Sequence, residues 1–279
     1  MVFTTLGVRG YGVMGGMWIR RVKCGVGIYV WGVVKTFNDK TGTLLHYSRL
    51  SLLEIVLLFI VSFYFGLPFR RFSESLRIGY GTVYKASRRI ASLVSSSPDS
   101  SKLSGVVELD ETFVTAGLKG RGHRELIRSL GRMPRRRGLS RRGRGNYYSD
   151  RVPVMILVSR DGDERYSTLI TMSSEEVKEA VRNCVEGGST IYTDEYPSYN
   201  ILDGMGYVHE SVNHSKGEYV RGDVHINNCE NRAGLLKRFL RPRNGISKTN
   251  TDAYIRLFHY HRRISKMSFN EAIIEAIRV

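Results

Sequence analysis

Gly105-Val-Val-Glu-Leu-Asp-Glu-Thr-Phe-Val114 is the stretch that decides how this chain is read. Val106, Val107, Leu109, Phe113 and Val114 are the residue types of a buried strand, and the run has strand length. Asp110 and Glu111 interrupt it. A carboxylate inside a core strand costs several kcal/mol unless a cation or hydrogen bonds compensate it. Either the strand ends at Asp110, which then faces solvent, or Asp110 stands at an active site and holds a metal ion. The rest of the chain favours the second reading, because it supplies two more carboxylates in suitable settings.

Downstream, Val152–Val158 reads as a strand, Arg160-Asp-Gly-Asp163 as a turn, and Arg165–Thr171 as a second strand, an antiparallel hairpin following the Asp110 strand. Ser173 or Ser174 starts a helix whose first turn carries acidic residues suited to the helix dipole, and Gly187-Gly188 is expected to close it. Ser189-Thr-Ile-Tyr-Thr-Asp-Glu195 is another short β run, ending in a carboxylate pair. Three strands, a helix, then a strand bearing a second Asp is the layout of an RNase H-like α/β domain. In that layout the first and fourth strands lie side by side and would bring Asp110 and Asp194 together. The third carboxylate is best sought on the helix predicted over Asn227–Leu240, with apolar spacing at Leu235, Leu236, Phe239 and Leu240. Glu230 and Lys237 are two helical turns apart there and project from one face, while Arg238, Arg241 and Arg243 extend a basic surface.

Composition narrows the partner. The 279 residues carry 43 Lys and Arg against 26 Asp and Glu, a net charge of +17. So basic a chain calls for a polyanion, and nucleic acid before membrane, since neither a lipid anchor nor a basic amphipathic helix is present. Cys24, Cys184 and Cys229 are far apart and odd in number, which fits a reducing cytosol and no disulfide framework. The apolar run Leu50–Phe69 is broken by Glu54, Gly66 and Pro68 and is too short to span a bilayer, so it is read as a buried helix. With no secretory signal either, the expected location is cytoplasmic, at the nucleoid.

The N-terminal part is less informative. Residues 1–49 predict a small β-rich piece in which only Cys24 and His46 resemble zinc donors, too few for a structural site. Residues 50–97 predict three helices. The last is expected to be capped at Thr82, with Val83, Ala86, Ile90 and Leu93 on one face and Lys85, Arg88 and Arg89 on the exposed side. A short helix, a glycine-containing turn and a basic helix make a helix-turn-helix pattern, and the net charge favours this over a plain helical bundle. Ser95–Ser104 reads as a linker. Residues 117–151 form a basic, glycine-punctuated insertion, in which Arg135, Arg136, Arg137, Arg141 and Arg142 would follow phosphates.

Four blocks, in order over about residues 104–265, resemble the DDE transposases of IS1595-type insertion sequences, with an ISXO2-like catalytic domain. They are Val107-Glu-Leu-Asp-Glu-Thr112, Tyr192-Thr-Asp-Glu-Tyr-Pro-Ser-Tyr199, Val212-Asn-His-Ser-Lys-Gly-Glu-Tyr-Val220, and the Val224–Arg238 stretch that leads to a closing helix over Tyr254–Arg263. The resemblance implies a catalytic set of Asp110, Asp194, Glu230 and Lys237. Asp110, Asp194 and Glu230 would hold two Mg2+ or Mn2+ ions for DNA cleavage and strand transfer at insertion-sequence ends. Lys237 would contact phosphate near the scissile bond, with Arg238 also on DNA; His214 would either orient a phosphate or the nucleophile there or be satisfied within the fold. Tyr196 and Tyr199 are candidates for base stacking or for packing. The expected domains are a degenerate zinc-ribbon-like segment (1–49), a helix-turn-helix (50–97), the catalytic domain (104–265, insertion 117–151) and a C-terminal helix (266–279). Relatives imply double-stranded DNA as partner and a homo-oligomer that synapses two ends. Two other readings stay open: a catalytically inert, transposase-derived DNA-binding protein, and an RNase H-like nuclease.

Overall fold

A computed structural model describes residues 12–14, 17–22, 25–30, 33–37, 46–96, 101–117, 124–129, 144–149 and 151–278. The chain forms two compact units, Met1–Val94 with Ser265–Val279, and Ser95–Ile264.

In the first unit, strands β1 (Gly12–Met14), β2 (Met17–Val22), β3 (Gly25–Val30) and β4 (Val33–Phe37) make an antiparallel meander in sequence order. Helix α1 (Leu52–Leu58) follows, opened by a reciprocal cap in which the Ser51 hydroxyl accepts from the Glu54 N–H and the Glu54 carboxylate accepts from the Ser51 N–H. It widens into a π-helical stretch over Phe59–Tyr64. The apolar run is therefore one-sided, not buried all round: Leu58, Phe59 and Phe63 are in the core, while Leu53 and Phe65 are exposed. Among the described residues no helix is long and apolar enough to cross a membrane.

Helices α2 (Phe69–Ser75) and α3 (Tyr80–Ser96) are joined by the turn Leu76–Gly79. Helix α3 starts two residues before the cap expected at Thr82, because the Thr82 and Val83 N–H groups already donate to the Gly79 carbonyl. Val83, Ala86 and Ile90 are buried at helical spacing, as amphipathicity predicts.

The second unit is a mixed α/β sheet. Its elements are β5 (Val106–Gly117), the short helix α4 (Arg124–Ser129), β6 (Arg151–Ser159), β7 (Glu164–Thr168), α5 (Ser174–Cys184), β8 (Thr190–Thr193) and β9 (Val208–Ser211). Then come α6 (Asn227–Leu240), β10 (Ile246–Ser247) and α7 (Thr251–Ile264); α8 (Phe269–Arg278) returns to the first unit. The sheet order is β7-β6-β5-β8-β9, with β10 beside the far end of β5. Strand β6 is antiparallel to both β5 and β7, whereas β8 and β9 run parallel to β5.

Strand β5 does not stop at Asp110. It runs twelve residues, through Asp110 and Glu111, paired with β6 from Val107 to Thr115. Val107 and Leu109 on one face pack with Met155, Leu157, Val177, Val181 and Tyr199 in one core cluster. On the other face Ile156 and Val158 pack against Cys229 and Ala233 of α6. Alternate side chains of a strand face opposite ways, so β6 feeds both cores, while β5 sends Glu108 to the start of α6.

Helix α5 is capped by Ser173 as its composition predicts. It ends at Cys184 instead of the glycine pair, because Val185 turns extended and bridges to Leu103.

Helices α6 and α7 are tied to the sheet by one buried acid. Glu164, at the start of β7, accepts from Arg232 Nε at 2.5 Å and from Arg262 Nε at 2.9 Å. Removing the charge leaves two guanidinium groups beside a neutral amide, so Glu164→Gln is expected to lower unfolding free energy by about 3 kcal/mol. Urea denaturation measures this, and a loss below about 0.5 kcal/mol would show that the arginines re-pair elsewhere.

Candidate active site at the end of the parallel strand pair

One edge of β5 is covered by β6 along most of its length. On the other edge β8 pairs only with Val106–Glu108, and β10 only with Ala116–Gly117. Between them the edge from Leu109 to Thr115 carries no strand among the described residues. The β5–β8 register is offset by 84 residues (Glu108 opposite Tyr192), and the same offset sets Asp110 beside Asp194, the first residue beyond β8. The two aspartates thus meet where the sheet opens. Asp110, Glu111 and Asp194 each offer a carboxylate oxygen, all within 4.8 Å of one another.

Such convergence is electrostatically costly. Burial, then the neighbouring charges of Glu111 and Asp194 and, less strongly, Glu230, push Asp110 up to about 8, although the Glu111 N–H donates to its Oδ1 at 2.8 Å. Burial also raises Glu111, against the pull of the Tyr199 hydroxyl, which donates to its Oε2 at 2.6 Å. Asp194 is raised mainly by burial, opposed by the Tyr196 N–H donating at 2.9 Å. Among the described residues, one guanidinium pairs with the cluster. Arg144 Nη2 lies 3.2 Å from Glu111 and 3.8 Å from Asp194, with its guanidinium 4.2 Å from the centre of the Tyr196 ring.

Beneath the cluster Glu108 is wholly buried. It pairs with Arg160 Nε at 2.9 Å and accepts from both the backbone N–H and the side-chain amide of Asn228, each at 2.8 Å. Helix α6 has no side-chain cap of its own at Ile226. A carboxylate from β5 takes over that task, satisfying a first-turn N–H and complementing the positive end of the helix. The same first turn carries Glu230. Arg160 in turn bonds His225 Nε2 at 2.9 Å and the Asp223 carbonyl at 3.0 Å, which fixes the chain entering α6.

Residues 102–262 match the ISXO2-like transposase domain. The chain belongs to this transposase family. It is 35% identical over 242 residues to an uncharacterized protein in transposable element ISH50 of Halobacterium salinarum, covering 86% of this chain and 79% of that protein. An uncharacterized transposase-like protein of Haemophilus influenzae is 28% identical over 97 residues, covering 35% of this chain and 78% of that protein. Among solved structures the chain is similar to the Mos1 strand transfer complex at 12% identity and a TM-score of 0.28, covering 82% of this chain and 78% of that one.

The transposase's predicted site residues fall into three groups. Asp110 and Asp194 are brought together. Glu230, in the first turn of α6, is exposed and lies outside the close cluster, yet near enough to raise Asp110. Lys237, two turns further along α6, lines a cavity of about 430 Å³ at the far end of β5. Arg151, Arg241, Phe113, Leu240 and Ile246 share that lining. Arg238 is exposed on the same helix.

His214 sits in a short 3-10 turn, its ring 4.9 Å from that of Tyr219 and near enough to Asp194 to oppose slightly the rise there. Glu195 turns away from the cluster: the N–H groups of His214 and Ser215 and the Ser215 hydroxyl all donate to it, holding it at about 2. Tyr199 is buried and so is not a stacking surface, whereas Tyr196 is half-buried under Arg144.

Lys85 and Arg88 are exposed on α3 of the first unit, with Arg89 partly covered. Arg135, Arg136, Arg137, Arg141, Arg142 and Cys24 lie outside the described residues. Sequence reasoning missed Glu108, Glu111 and Arg144 as site residues. The two glutamates stand in the quoted stretch beside Asp110, a signal that was available. Arg144 is marked only by the glycines on either side of it.

Proposed function

We propose that this transposase cleaves and joins DNA strands at insertion-sequence ends by metal-dependent DDE chemistry in an RNase H-like catalytic domain. The observation that carries the reading is Asp110 beside Asp194 on adjacent parallel strands, with α6 bringing Glu230 toward them. The donor set fits Mg2+ or Mn2+: converging carboxylate oxygens, with burial and mutual repulsion holding Asp110 protonated to about pH 8, are relieved by a hard divalent cation. Asp110, Asp194 and Glu230 would hold the ions. Two such ions supply an activated water or 3′-hydroxyl and stabilise the leaving oxygen.

The protein's own groups do the rest. Glu108 and Asn228 hold the α6 turn that carries Glu230, and Tyr199 orients Glu111 from the core. Lys237 contacts phosphate near the scissile bond, and Arg238 and His214 extend that contact. In the domain assignment the helix-turn-helix of residues 50–97 reads DNA ends through α3, with Lys85, Arg88 and Arg89. The insertion of residues 117–151 follows the backbone without sequence choice. Two protomers synapse two ends.

The test is cleavage and strand transfer on DNA carrying the inverted repeats that flank the gene, with Mg2+ or Mn2+, comparing the protein with Asp110→Asn, Asp194→Asn and Glu230→Gln. Metal-dependent nicking at the repeat ends, lost in each variant, is the expected result. Binding without cutting would establish an inert descendant, and cutting without end preference a nuclease.

A separate measurement addresses the cavity at the far end of β5. If Lys237 and Arg241 contact phosphates, replacing both with alanine should flatten the log Kd against log salt slope by about two contacts, roughly 1.8. An unchanged slope would remove them from the interface.

A further inference from the structure

We infer that Arg144 is a tethered counter-cation of the acid cluster, exchanged for divalent metal when DNA phosphate draws its guanidinium away, so that DNA binding and metal loading are coupled through this side chain. The inference rests on the metal-site reading above and adds a residue to it.

The geometry supports exchange over a permanent structural bridge. The acids are the buried partners: the side chains of Glu111 and Asp194 are 5% and 13% exposed, while Arg144 is 55% exposed. Leaving the cluster therefore costs Arg144 little desolvation or packing, whereas the acids left behind need another cation. A divalent ion on Asp194 and the Arg144 guanidinium compete for the same oxygens and repel each other.

The backbone beside Arg144 is held by hydrogen bonds, while its side chain is more than half exposed. Next to it, a Cβ at Gly145 would come within 2.3 Å of the Arg151 Cβ, so only glycine fits. Beyond it, the Asn146 N–H donates to the Ser149 hydroxyl at 3.0 Å and the Ser149 N–H to the Asn146 side chain at 2.9 Å. The Tyr147 N–H donates to the Ile170 carbonyl at 2.6 Å. An arginine anchored at its base, stacked on Tyr196 and belonging to a strongly basic stretch has two anionic partners available, the carboxylates and a DNA phosphate. Carboxylate and phosphate both accept a planar guanidinium through paired hydrogen bonds, so the side chain can trade one for the other.

The test is calorimetric binding of Mn2+ to the full-length protein without DNA, repeated with a double-stranded repeat-end oligonucleotide bound. Arg144→Ala should bind Mn2+ roughly fivefold more tightly than the parent without DNA, since a competing cation worth about 1 kcal/mol has gone. Arg144→Lys should fall between. The gain in Mn2+ affinity that DNA confers should shrink in Arg144→Ala by the same factor, as linkage requires. Unchanged or weaker Mn2+ binding in Arg144→Ala would overturn the inference and make Arg144 a clamp that orders the acids. Asp110→Asn separates the two levels: if it leaves Mn2+ binding intact, the metal-site reading itself fails.

Discussion

Asp110→Asn is expected to lose strand cleavage by about a thousandfold or more, yet to gain stability in the metal-free protein above neutral pH. The two effects have one cause. Burial and the adjacent carboxylates raise Asp110 from 3.8 to about 8. Between those values the folded protein keeps a proton that the unfolded chain has released. Folded stability therefore falls as pH rises across that window, and the full penalty is present above about 8. Asparagine keeps the shape, carries no charge and feels none of this. The difference in unfolding free energy, variant minus parent, should be near zero at pH 4 and on the order of 3–5 kcal/mol at pH 8.

Divalent metal should raise the parent's melting temperature and close the gap, leaving the variant almost unmoved. For the same reason the parent's affinity for Mn2+ should climb with pH until about 8, as the metal no longer has to displace a proton. Thermal denaturation across pH, with and without Mg2+, reads all of this. A variant that is less stable than the parent at pH 8 would mean that Asp110 is a structural hydrogen-bond acceptor and not a strained ligand.

Glu108→Gln should show the opposite pairing, with stability and activity falling together. Glu108 is buried, pairs with Arg160, and accepts two hydrogen bonds from Asn228 at the start of α6. A glutamine side chain can still accept, but it leaves the Arg160 guanidinium without its charge and offers the helix end a neutral partner. Breaking a buried pair costs about 3–5 kcal/mol; Arg160 keeps some solvent contact, which puts the expected loss near 3 kcal/mol. The α6 turn that presents Glu230 loses its anchor in the same stroke, so cleavage should drop more than about tenfold at temperatures where the variant remains folded. Urea denaturation and the end-cleavage assay separate the contributions. Loss of stability with full activity would confine Glu108 to holding the fold.

Much of the second unit was legible in one dimension. Strand-length apolar runs, the Arg160–Asp163 turn, the Ser173 cap and the spacing of Leu236, Phe239 and Leu240 are local signals, and each reports a local preference that packing did not override. The order of strands and helix led to the neighbouring of Asp110 and Asp194, because a parallel pair joined through a helix leaves few ways to arrange the sheet. The four ordered motif blocks led to the family.

Helix and strand ends were less well determined. Helix α3 began early through hydrogen bonds from Thr82 and Val83 to Gly79 within one turn, whereas the glycine pair after α5 was pre-empted by Val185 pairing with Leu103, a residue far outside the local window. The site's support was invisible for a stronger reason. Whether Glu108 is a surface acid or a buried cap for α6 depends on a partner 120 residues away, and which arginine of a basic stretch meets Glu111 depends on where the turn around Gly145 is pinned. The sequence by itself determined which residue types and strands this transposase has to work with. Only the tertiary structure decided which charges face one another, because electrostatic energy depends on distance and burial, and neither is written along the chain.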